Sequence, residues 1–509
     1  MNTRERICLL FAAALIGLGC SILAEAYSLC LDLGIQLFWD ALPAVVSVDS
    51  WLHPWMVLPL LCGFLGFLVG ISMKLMGEPC ANLAGTVKEF KEHGKILRHD
   101  LTSGRMIVVS LLSVCGGGSL GPEAPIVALG GGVADILAEV LKFGPAERSV
   151  AAICGMGAGL AVFFDNALGG ALFACEVLHR FGLEMYEAIL PALTASLVAQ
   201  LASRAMSGHR VGPSWHFSNA TNLSNAWWLT LLGVLLGLVG GLIGLAWIRC
   251  ASAVKGKIAF VKSPIIRATV GGTLLGCIGM FLPETMFWGE LEAQTIIDLG
   301  ASRLPHVHPT VGVFGSYSLA LPGVLVCLAV VKLTTICITN LAGYRGGLIF
   351  PLMFVGMCLG QAFCQLVGTD GLLAEAVMLG LAAAINVAVT RTPLSTSLVL
   401  STLGGQEYLL PCMLMASIVS LHVSAGSSFI VAASPRQPAL PLQFFRSSPT
   451  LEIDVEQQSQ GSDPLGSNAM NAVDRLQPLN GCPDPMILKK DEGVAPAGNP
   501  PVGPHLVGN

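Results

Sequence analysis

The stretch GGGSLGPEAPIVALGGG, residues 116–132, places one carboxylate, that of Glu123, inside a glycine-rich apolar segment. The stretch contains no lysine or arginine that could balance its charge. An ionisable side chain at membrane depth is costly and indicates a functional site by default. Because helix N-termini attract negative charge, Glu123 has two possible roles. It can act as a gate that occupies an anion position and is displaced, or it can cap a buried helix.

A second block, AGYRGGLIFPLMFVGMCLG, resembles the first in composition and reaches Pro351 as the first reaches Pro125. Leu168 in NALGGALFACEV follows Pro125 by 43 residues, and Leu394 in TPLSTSLVLST follows Pro351 by the same 43. Apolar segments interrupted by Gly and Pro at corresponding positions of two halves are typical of transporters built from repeats. We therefore expect two broken helices that meet at a central site.

A helix that begins inside a membrane presents up to four unbonded N–H groups and the positive end of its dipole. Glycines before such a break allow unusual backbone angles and close approach of an ion, and a proline in the first turn costs little. GSLGPEAP and GYRGGLIFP both have this composition. Close helix packing through small residues is the alternative explanation of the glycines. The matched spacing of the two blocks favours a shared anion site.

The elements that position these blocks are predicted to be membrane-spanning helices. Of the 509 residues, 53% are hydrophobic and only 12% are charged, which excludes a soluble protein. Long apolar runs recur along the chain, and strand-like alternation is absent, so we expect helices and no barrel. The sixteen cysteines show no CxxC spacing, and most of them lie singly in apolar spans and are interpreted as small buried hydrophobes. The predicted fold is an all-α polytopic membrane protein with two inverted-topology repeats, about 50–205 and 226–433.

The chain also divides by composition and charge. Residues 1–435 are predicted to be the transmembrane domain, and residues 436–509, rich in Pro, Gly, Ser and Asn, a disordered cytoplasmic tail. The segment 26–54 contains three aspartates and no lysine or arginine, whereas the segment 84–105 contains five lysines and arginines. The positive-inside rule therefore predicts a cytoplasmic N-terminus and a multi-pass integral membrane protein.

At these motifs the chain resembles a divergent bacterial branch of the CLC family of chloride channels and chloride/proton antiporters. The family's G-K/R-E-G-P motif is similar to GPEAP at 121–125, and its G-x-F-x-P motif is similar to GLIFP at 347–351. The resemblance covers roughly residues 54–433. It implies anion transport gated by Glu123 and a homodimer in which each subunit has its own pore. The anion-binding positions that it implies are Gly121, Pro122, Ala124, Gly347, Leu348, Ile349 and Phe429.

The departures from the family pattern bear on selectivity and coupling. The family's serine motif falls on GEPCA at 77–81, so the anion-coordinating serine is missing and Glu78 is the nearest acid. The family's central-site tyrosine has no tyrosine counterpart, and Phe429 is the nearest aromatic residue. The inner proton-accepting glutamate of the antiporters falls on Val177, next to Glu176. These departures favour a channel-like or weakly proton-coupled chloride transporter. The alternative is a proton-coupled chloride or fluoride antiporter that uses Glu78 or Glu176 as its inner acid.

Other functions and sites are less well supported by the sequence. An intramembrane enzyme would need a nucleophile–base pair or a metal cluster, and no H-E-x-x-H or comparable set is present. We therefore expect no enzymatic activity, no cofactor, no metal and no nucleic-acid partner. The expected partners are small inorganic anions, the lipid bilayer and, in the antiporter alternative, protons. For Lys332, in the apolar segment before the second block, we favour snorkelling over a positive charge held near the pore.

Overall fold

The computed structural model describes residues 3–41, 54–76, 101–179, 185–208, 213–217, 227–258, 261, 263–300 and 317–425. These residues form helices joined by short connections, with no β-strand among them. The chain divides into Met1–Pro435 and Arg436–Asn509, and every helix given below lies in the first unit. The predicted tail at 436–509, Glu78 and Phe429 lie outside the described residues.

The helices fall into two sets along the chain. The first set is α1 Thr3–Ile35, continued by a π-helix at Gln36–Ala41, α2 Pro54–Met76, α3 Leu101–Cys115, α4 Glu123–Val140, α5 Pro145–Phe163, α6 Ala167–His179 and α7 Met185–Ser207. The second set is α8 Trp228–Ile258, α9 Pro264–Gly279, α10 Glu290–Asp298, α11 Pro322–Ala342, α12 Ile349–Val367, α13 Gly371–Thr390, α14 Pro393–Gly404 and α15 Leu410–Val423. Short 3-10 turns occur at Pro283–Thr285 and Glu407–Leu409.

Local sequence explains where several helices begin and end. Prolines occupy the first turn of α5, α9, α11 and α14, where the missing N–H would have had no intrahelical partner. Gly343, Gly368 and Gly405 end α11, α12 and α14 with left-handed φ angles of 87°, 72° and 63°. Gly343 is important for the site because it ends α11 just before the second broken helix.

The two sets repeat the same helix pattern. Three consecutive helices of the first set, α4, α5 and α6, begin at residues 123, 145 and 167. Their counterparts α12, α13 and α14 begin at 349, 371 and 393, each 226 residues later. Helices α6 and α14 run antiparallel, since Asn166 Nδ2 donates to Thr402 Oγ1 at 2.8 Å while Glu176 lies at the start of α14. The predicted all-α fold with two inverted repeats is confirmed.

The main hydrophobic cluster draws residues from both repeats, and α5, α12 and α13 contribute more to it than the other helices. Some glycines of the first block serve this packing. A Cβ atom at Gly130 of α4 would lie 2.0 Å from the carbonyl oxygen of Gly155 in α5. The packing explanation of the glycines therefore holds for Gly130, which is outside the central site.

Seven of the described helices are long and apolar enough to cross a membrane. Two of them, α12 and α13, have most of their surface buried inside the protein, whereas α8 exposes a large apolar surface. Four shorter apolar helices, at 104–115, 167–177, 264–279 and 407–423, accompany them. Apolar residues exposed on the long helices are expected to face lipid. Most residues of the broken helices α4 and α12 are buried inside the protein.

Candidate functional site

The two broken helices meet through a short backbone bridge. Gly121 N donates to Gly347 O at 2.9 Å, and Gly347 N donates to Gly121 O at 2.6 Å, in antiparallel fashion. Each glycine lies two residues before the start of its helix, α4 at Glu123 and α12 at Ile349. The bridge brings the two helix N-termini together inside the protein, as the sequence predicted from the matched blocks.

Glu123 is the first residue of α4, and its side chain is only 2% exposed. Its Oε1 atom accepts a hydrogen bond from the backbone N–H of Phe350, in the first turn of α12, at 3.1 Å. Its Oε2 atom is buried and accepts no hydrogen bond from the described residues. A buried carboxylate oxygen without a donor is costly. The side chain is therefore held at one oxygen only, and protonation or displacement by another anion would relieve that cost.

The carboxylate of Glu123 lies directly over the two bridging glycines. A Cβ atom at Gly121 would lie 2.1 Å from Oε2, and one at Gly347 would lie 2.0 Å from the same atom. No side chain larger than hydrogen fits at either position while Glu123 keeps this conformation. The glycines of the two motifs are thus explained by the close approach of a carboxylate.

The predicted anion-binding residues have different roles in the structure. The amides of Gly121 and Gly347 donate to each other's carbonyls in the bridge. Pro122 has no N–H and is the N-cap of α4, and Leu348 is the N-cap of α12. Ala124 and Ile349 are buried in the first turns of α4 and α12, respectively.

The donor that holds Glu123 is the amide of Phe350, a position that sequence reasoning missed. The available signal was its place in the first turn of the helix that GLIFP begins. The first intrahelical hydrogen bond of α12 runs from Leu352 N to Leu348 O, so the Phe350 amide has no acceptor within the helix. Asn386 Nδ2 donates to Ile349 O at 2.9 Å and supports the same turn. This first turn of α12 is therefore an oriented donor site.

Aromatic rings form one wall of the site. The ring centroid of Phe350 lies 5.5 Å from that of Phe163, 5.8 Å from that of Phe164 and 6.4 Å from that of Trp215. Phe163 and Phe164 come from the FFDN segment that joins α5 to α6. These rings place an apolar wall beside the Phe350 amide, and an apolar surrounding strengthens electrostatic interactions.

Glu176 and Val177 lie near the end of α6. Glu176 accepts hydrogen bonds from Leu394 N and Ser395 N, both at 2.9 Å, and from Ser395 Oγ at 2.6 Å. It therefore caps the N-terminus of α14. Val177 is buried, with 3% of its surface exposed.

Lys332 does not snorkel, and our interpretation from the sequence was wrong. Its side chain is completely buried in α11, and its Nζ atom donates to three backbone carbonyls of residues 285–287. The reason is that these carbonyls, at the end of a 3-10 turn, supply acceptors inside the protein that replace interfacial water.

Comparison with known protein families identifies the family of this chain. The sequence model described as voltage gated chloride channel matches residues 65–425, which is more than half of the 509 residues. The chain is a member of the voltage gated chloride channel family. This CLC-type protein is an integral, multi-pass membrane protein that transports anions and is not an enzyme. Among its described residues, no group of three or more potential metal ligands is present.

Curated relatives and solved structures agree with this assignment. The CLC-type protein is 28% identical over 388 residues to a chloride/fluoride channel protein of Pseudomonas syringae pv. tomato, covering 73% of this chain and 77% of that protein. It is 25% identical over 327 residues to the voltage-gated ClC-type chloride channel ClcB of Escherichia coli O9:H4, covering 62% and 71% of the two chains.

Two solved structures share the fold. A slow cyanobacterial Cl⁻/H⁺ antiporter aligns with a TM-score of 0.67 and 18% identity, covering 84% of this chain and 97% of that one. A CLC-type fluoride/proton antiporter aligns with a TM-score of 0.63 and 19% identity, covering 85% and 98%. These likenesses support the fold of the CLC-type protein.

Proposed function

We propose that the CLC-type protein is a chloride-conducting anion channel whose gate is the carboxylate of Glu123. The observation that carries this proposal is the one-sided attachment of that carboxylate: one oxygen accepts from Phe350 N, while the other is buried and has no donor among the described residues. A structural cap is normally satisfied by its donors. The geometry therefore supports a side chain that leaves its position during transport.

The proposed cycle needs only the groups of this site and no cofactor. With Glu123 ionised, its carboxylate occupies the donor site at the start of α12 and excludes other anions. Protonation removes the charge that competes with an incoming anion, and a chloride ion then takes the place of the carboxylate. The freed Phe350 amide and the dipole of α12 interact with that ion. The paired glycines let the carboxylate approach the backbone closely.

We further propose that anion movement is poorly coupled or uncoupled to protons. A proton route through the protein needs an acid near its inner end, and Val177 offers none. Glu176 is committed to α14 by three hydrogen bonds, which supports a structural role for it. Of the two acids considered for the antiporter alternative, Glu78 lies outside the described residues. Proton-coupled exchange is thus an outcome that the experiments must be able to reveal.

The preferred anion is tested by flux measurements in liposomes that contain the purified protein. Chloride, fluoride, nitrate and bromide are compared at several imposed pH gradients. We expect chloride flux that increases as the pH falls. The relative named chloride/fluoride channel protein makes fluoride the most informative second anion. Flux that is insensitive to pH would contradict the gate, and flux of fluoride alone would contradict chloride as the substrate.

We propose a homodimer with one pore in each subunit and a cytoplasmic N-terminus. The segment of five basic residues at 84–105 supports the orientation through the positive-inside rule. Accessibility of an N-terminal tag to a protease in sealed right-side-out vesicles tests the orientation, since cleavage without permeabilisation would contradict it. Mass measurement of the protein in nanodiscs tests the dimer, because a monomeric mass with full flux would contradict it.

A further inference from the structure

Lys332 is a buried ionisable residue that the gate itself does not use. Its Nζ atom donates to Thr285 O at 3.1 Å, Met286 O at 3.0 Å and Phe287 O at 2.8 Å. Three acceptors match the three N–H bonds of an ammonium group. A neutral amine has only two N–H bonds, so its lone pair would face the third carbonyl. The geometry is that of a cation that holds a backbone segment in place.

The segment held by Lys332 rests on the glycine loop that precedes Glu123. Phe287 N donates to Gly117 O at 3.4 Å. A Cβ atom at Gly117 would lie 2.6 Å from the terminal methyl carbon of Met286, and the φ angle of Gly117 is 74°. Residues 285–287 therefore form a wall against which the loop is folded in a conformation that favours glycine.

The same face of α11 also holds the loop directly. Lys332, Thr335 and Thr339 are spaced i, i+3 and i+7, so they lie along one side of the helix. Thr335 Oγ1 donates to Lys332 O of its own helix at 2.9 Å and also lies 3.4 Å from Thr285 O, while Thr339 Oγ1 accepts from Ser119 N at 3.2 Å. One helix face thus connects residues 285–287 with the loop at 116–122.

The ammonium group also contacts the helix that binds the gate. Lys332 Nζ lies 5.1 Å from the ring centroid of Phe354, a distance at which a cation is attracted to an aromatic face. Phe354 is one helical turn after Phe350, whose amide holds Glu123. Lys332 therefore touches the supports on both sides of the gate: residues 285–287 behind the glycine loop, and α12.

We propose that Lys332 is a positioning residue for the gate, which fixes the glycine loop and α12 so that Glu123 meets the Phe350 amide. It acts through these supports and does not contact the transported anion. The inference rests on the proposed role of Glu123 as the gate. It assigns control of the gate's conformation to Lys332, a residue of the second repeat that is distant in sequence from Glu123.

Other ionisable groups near this arrangement must be kept constant in any test. Glu292 of α10 and Cys358 of α12 interact electrostatically with Lys332. Glu290, at the start of α10, and Tyr27 of α1 interact electrostatically with Glu123. Substitutions confined to α11 leave all four unchanged. A change in the pH profile of such a variant can then be assigned to the face of α11.

The experiment compares Lys332→Met with Lys332→Arg in proteoliposomes, using chloride flux as a function of pH. Lys74→Met is the matched control, because Lys74 is exposed on α2. We expect Lys332→Met to displace the midpoint of the pH profile, with a change of about tenfold in flux at neutral pH. Arginine keeps the charge and the donors and should restore part of the native profile. A native profile for Lys332→Met would overturn the proposal.

The same substitution in a Glu123→Gln background separates positioning from a general structural role. If Lys332 acts through Glu123, adding Lys332→Met to Glu123→Gln should leave the flux nearly unchanged. An equal loss of flux in both backgrounds would show that Lys332 supports the pore in general, and the inference would fail. Glu123→Gln alone tests the gate, so failure of the proposed function is recognised separately from failure of this inference.

A milder pair of variants applies if Lys332→Met does not fold. Thr335→Val removes the hydroxyl that reaches Thr285 O, together with its bond to Lys332 O, without changing any charge. Thr334→Val, which removes an intrahelical hydroxyl bond on the exposed side of α11, is its control. We expect Thr335→Val to shift the pH profile in the same direction as Lys332→Met, by a smaller amount, and Thr334→Val to leave it native. Identical profiles for the two threonine variants would contradict the proposed clamp.

Discussion

Two glutamates of the first repeat lie at helix N-termini of the second repeat, and they are held very differently. Glu123, from α4, accepts one hydrogen bond at the start of α12, and its other oxygen has no donor among the described residues. Glu176, from α6, accepts three hydrogen bonds at the start of α14 and is partly exposed. The location of a carboxylate at a helix N-terminus therefore does not distinguish a gate from a cap, whereas the number of hydrogen-bond donors to that carboxylate does.

The position of proline in each helix explains this difference. In α14, Pro393 is the first helical residue, so the N–H groups of the second and third residues remain available to Glu176. In α12, Pro351 is the third helical residue and has no N–H, so only the second residue, Phe350, donates to Glu123. One proline shifted by two positions leaves the second oxygen of Glu123 without a backbone donor from the first turn of α12.

The largest expected effect comes from removing the charge of Glu123, the glutamate held by fewer hydrogen bonds. Glu123→Gln keeps the shape of the side chain but removes the charge that competes with the anion. A single titrating carboxyl changes the fraction of open gates by up to about tenfold per pH unit. We expect chloride flux of Glu123→Gln to lose most of its pH dependence in liposomes. A profile like that of the native protein would show that Glu123 is a cap after all.

The equivalent change at the other site should affect stability and leave gating unchanged. Glu176→Gln loses charge-assisted hydrogen bonds to α14, which typically contribute about 1–3 kcal/mol together. We expect a lower thermal midpoint in detergent, measured by the loss of the monodisperse size-exclusion peak, and a native pH profile of flux. A changed profile would place Glu176 in the transport pathway and remove the distinction between the two sites.

Substitution of a bridge glycine tests the position of Glu123 by a steric effect. Gly347→Ala places a Cβ 2.0 Å from Glu123 Oε2, so the carboxylate must leave its position. We expect flux with a weakened pH dependence, between the native protein and Glu123→Gln. Gly323→Ala is the control, because a Cβ there meets no atom within 4 Å. Native pH dependence in Gly347→Ala would show that the gate does not rest over the bridge.

These residues show which features of the fold and the site could be predicted from the sequence and which could not. Composition and the repeated 43-residue spacing were sufficient for the helical fold and for the meeting of the two broken helices. The roles of individual amides depend on tertiary contacts. Nothing local indicates that Gly121 and Gly347 use their N–H groups on each other, or that Phe350 is the donor to Glu123. Lys332 illustrates the same limit, because its acceptors are about 45 residues away in the chain.

A smaller effect is expected from restoring the missing backbone donor. Pro351→Ala adds an N–H in the first turn of α12, next to that of Phe350, which can serve the second oxygen of Glu123. One hydrogen bond to a charged group contributes about 1.5 kcal/mol, or roughly tenfold in an equilibrium constant. We expect lower chloride flux at neutral pH and a need for more acid to open the gate. Pro393→Ala, which adds an N–H at the first position of α14, is the control. Equal flux in the two variants would contradict the argument from proline position.

The smallest expected effect is on proton movement, where we predict essentially none. A two-site proton exchanger needs an acid at each end of its route, because a proton cannot rest on apolar side chains in a low-dielectric interior. Val177 is apolar and buried, and its neighbour Glu176 is bound to α14. The measurement is proton movement into or out of liposomes under an outward chloride gradient, with equal pH on both sides and a protonophore control. Sustained uphill proton movement would overturn the uncoupled reading. Its loss in Glu78→Gln, but not in Glu176→Gln, would then identify Glu78 as the inner acid and leave Glu176 as the cap that the geometry indicates.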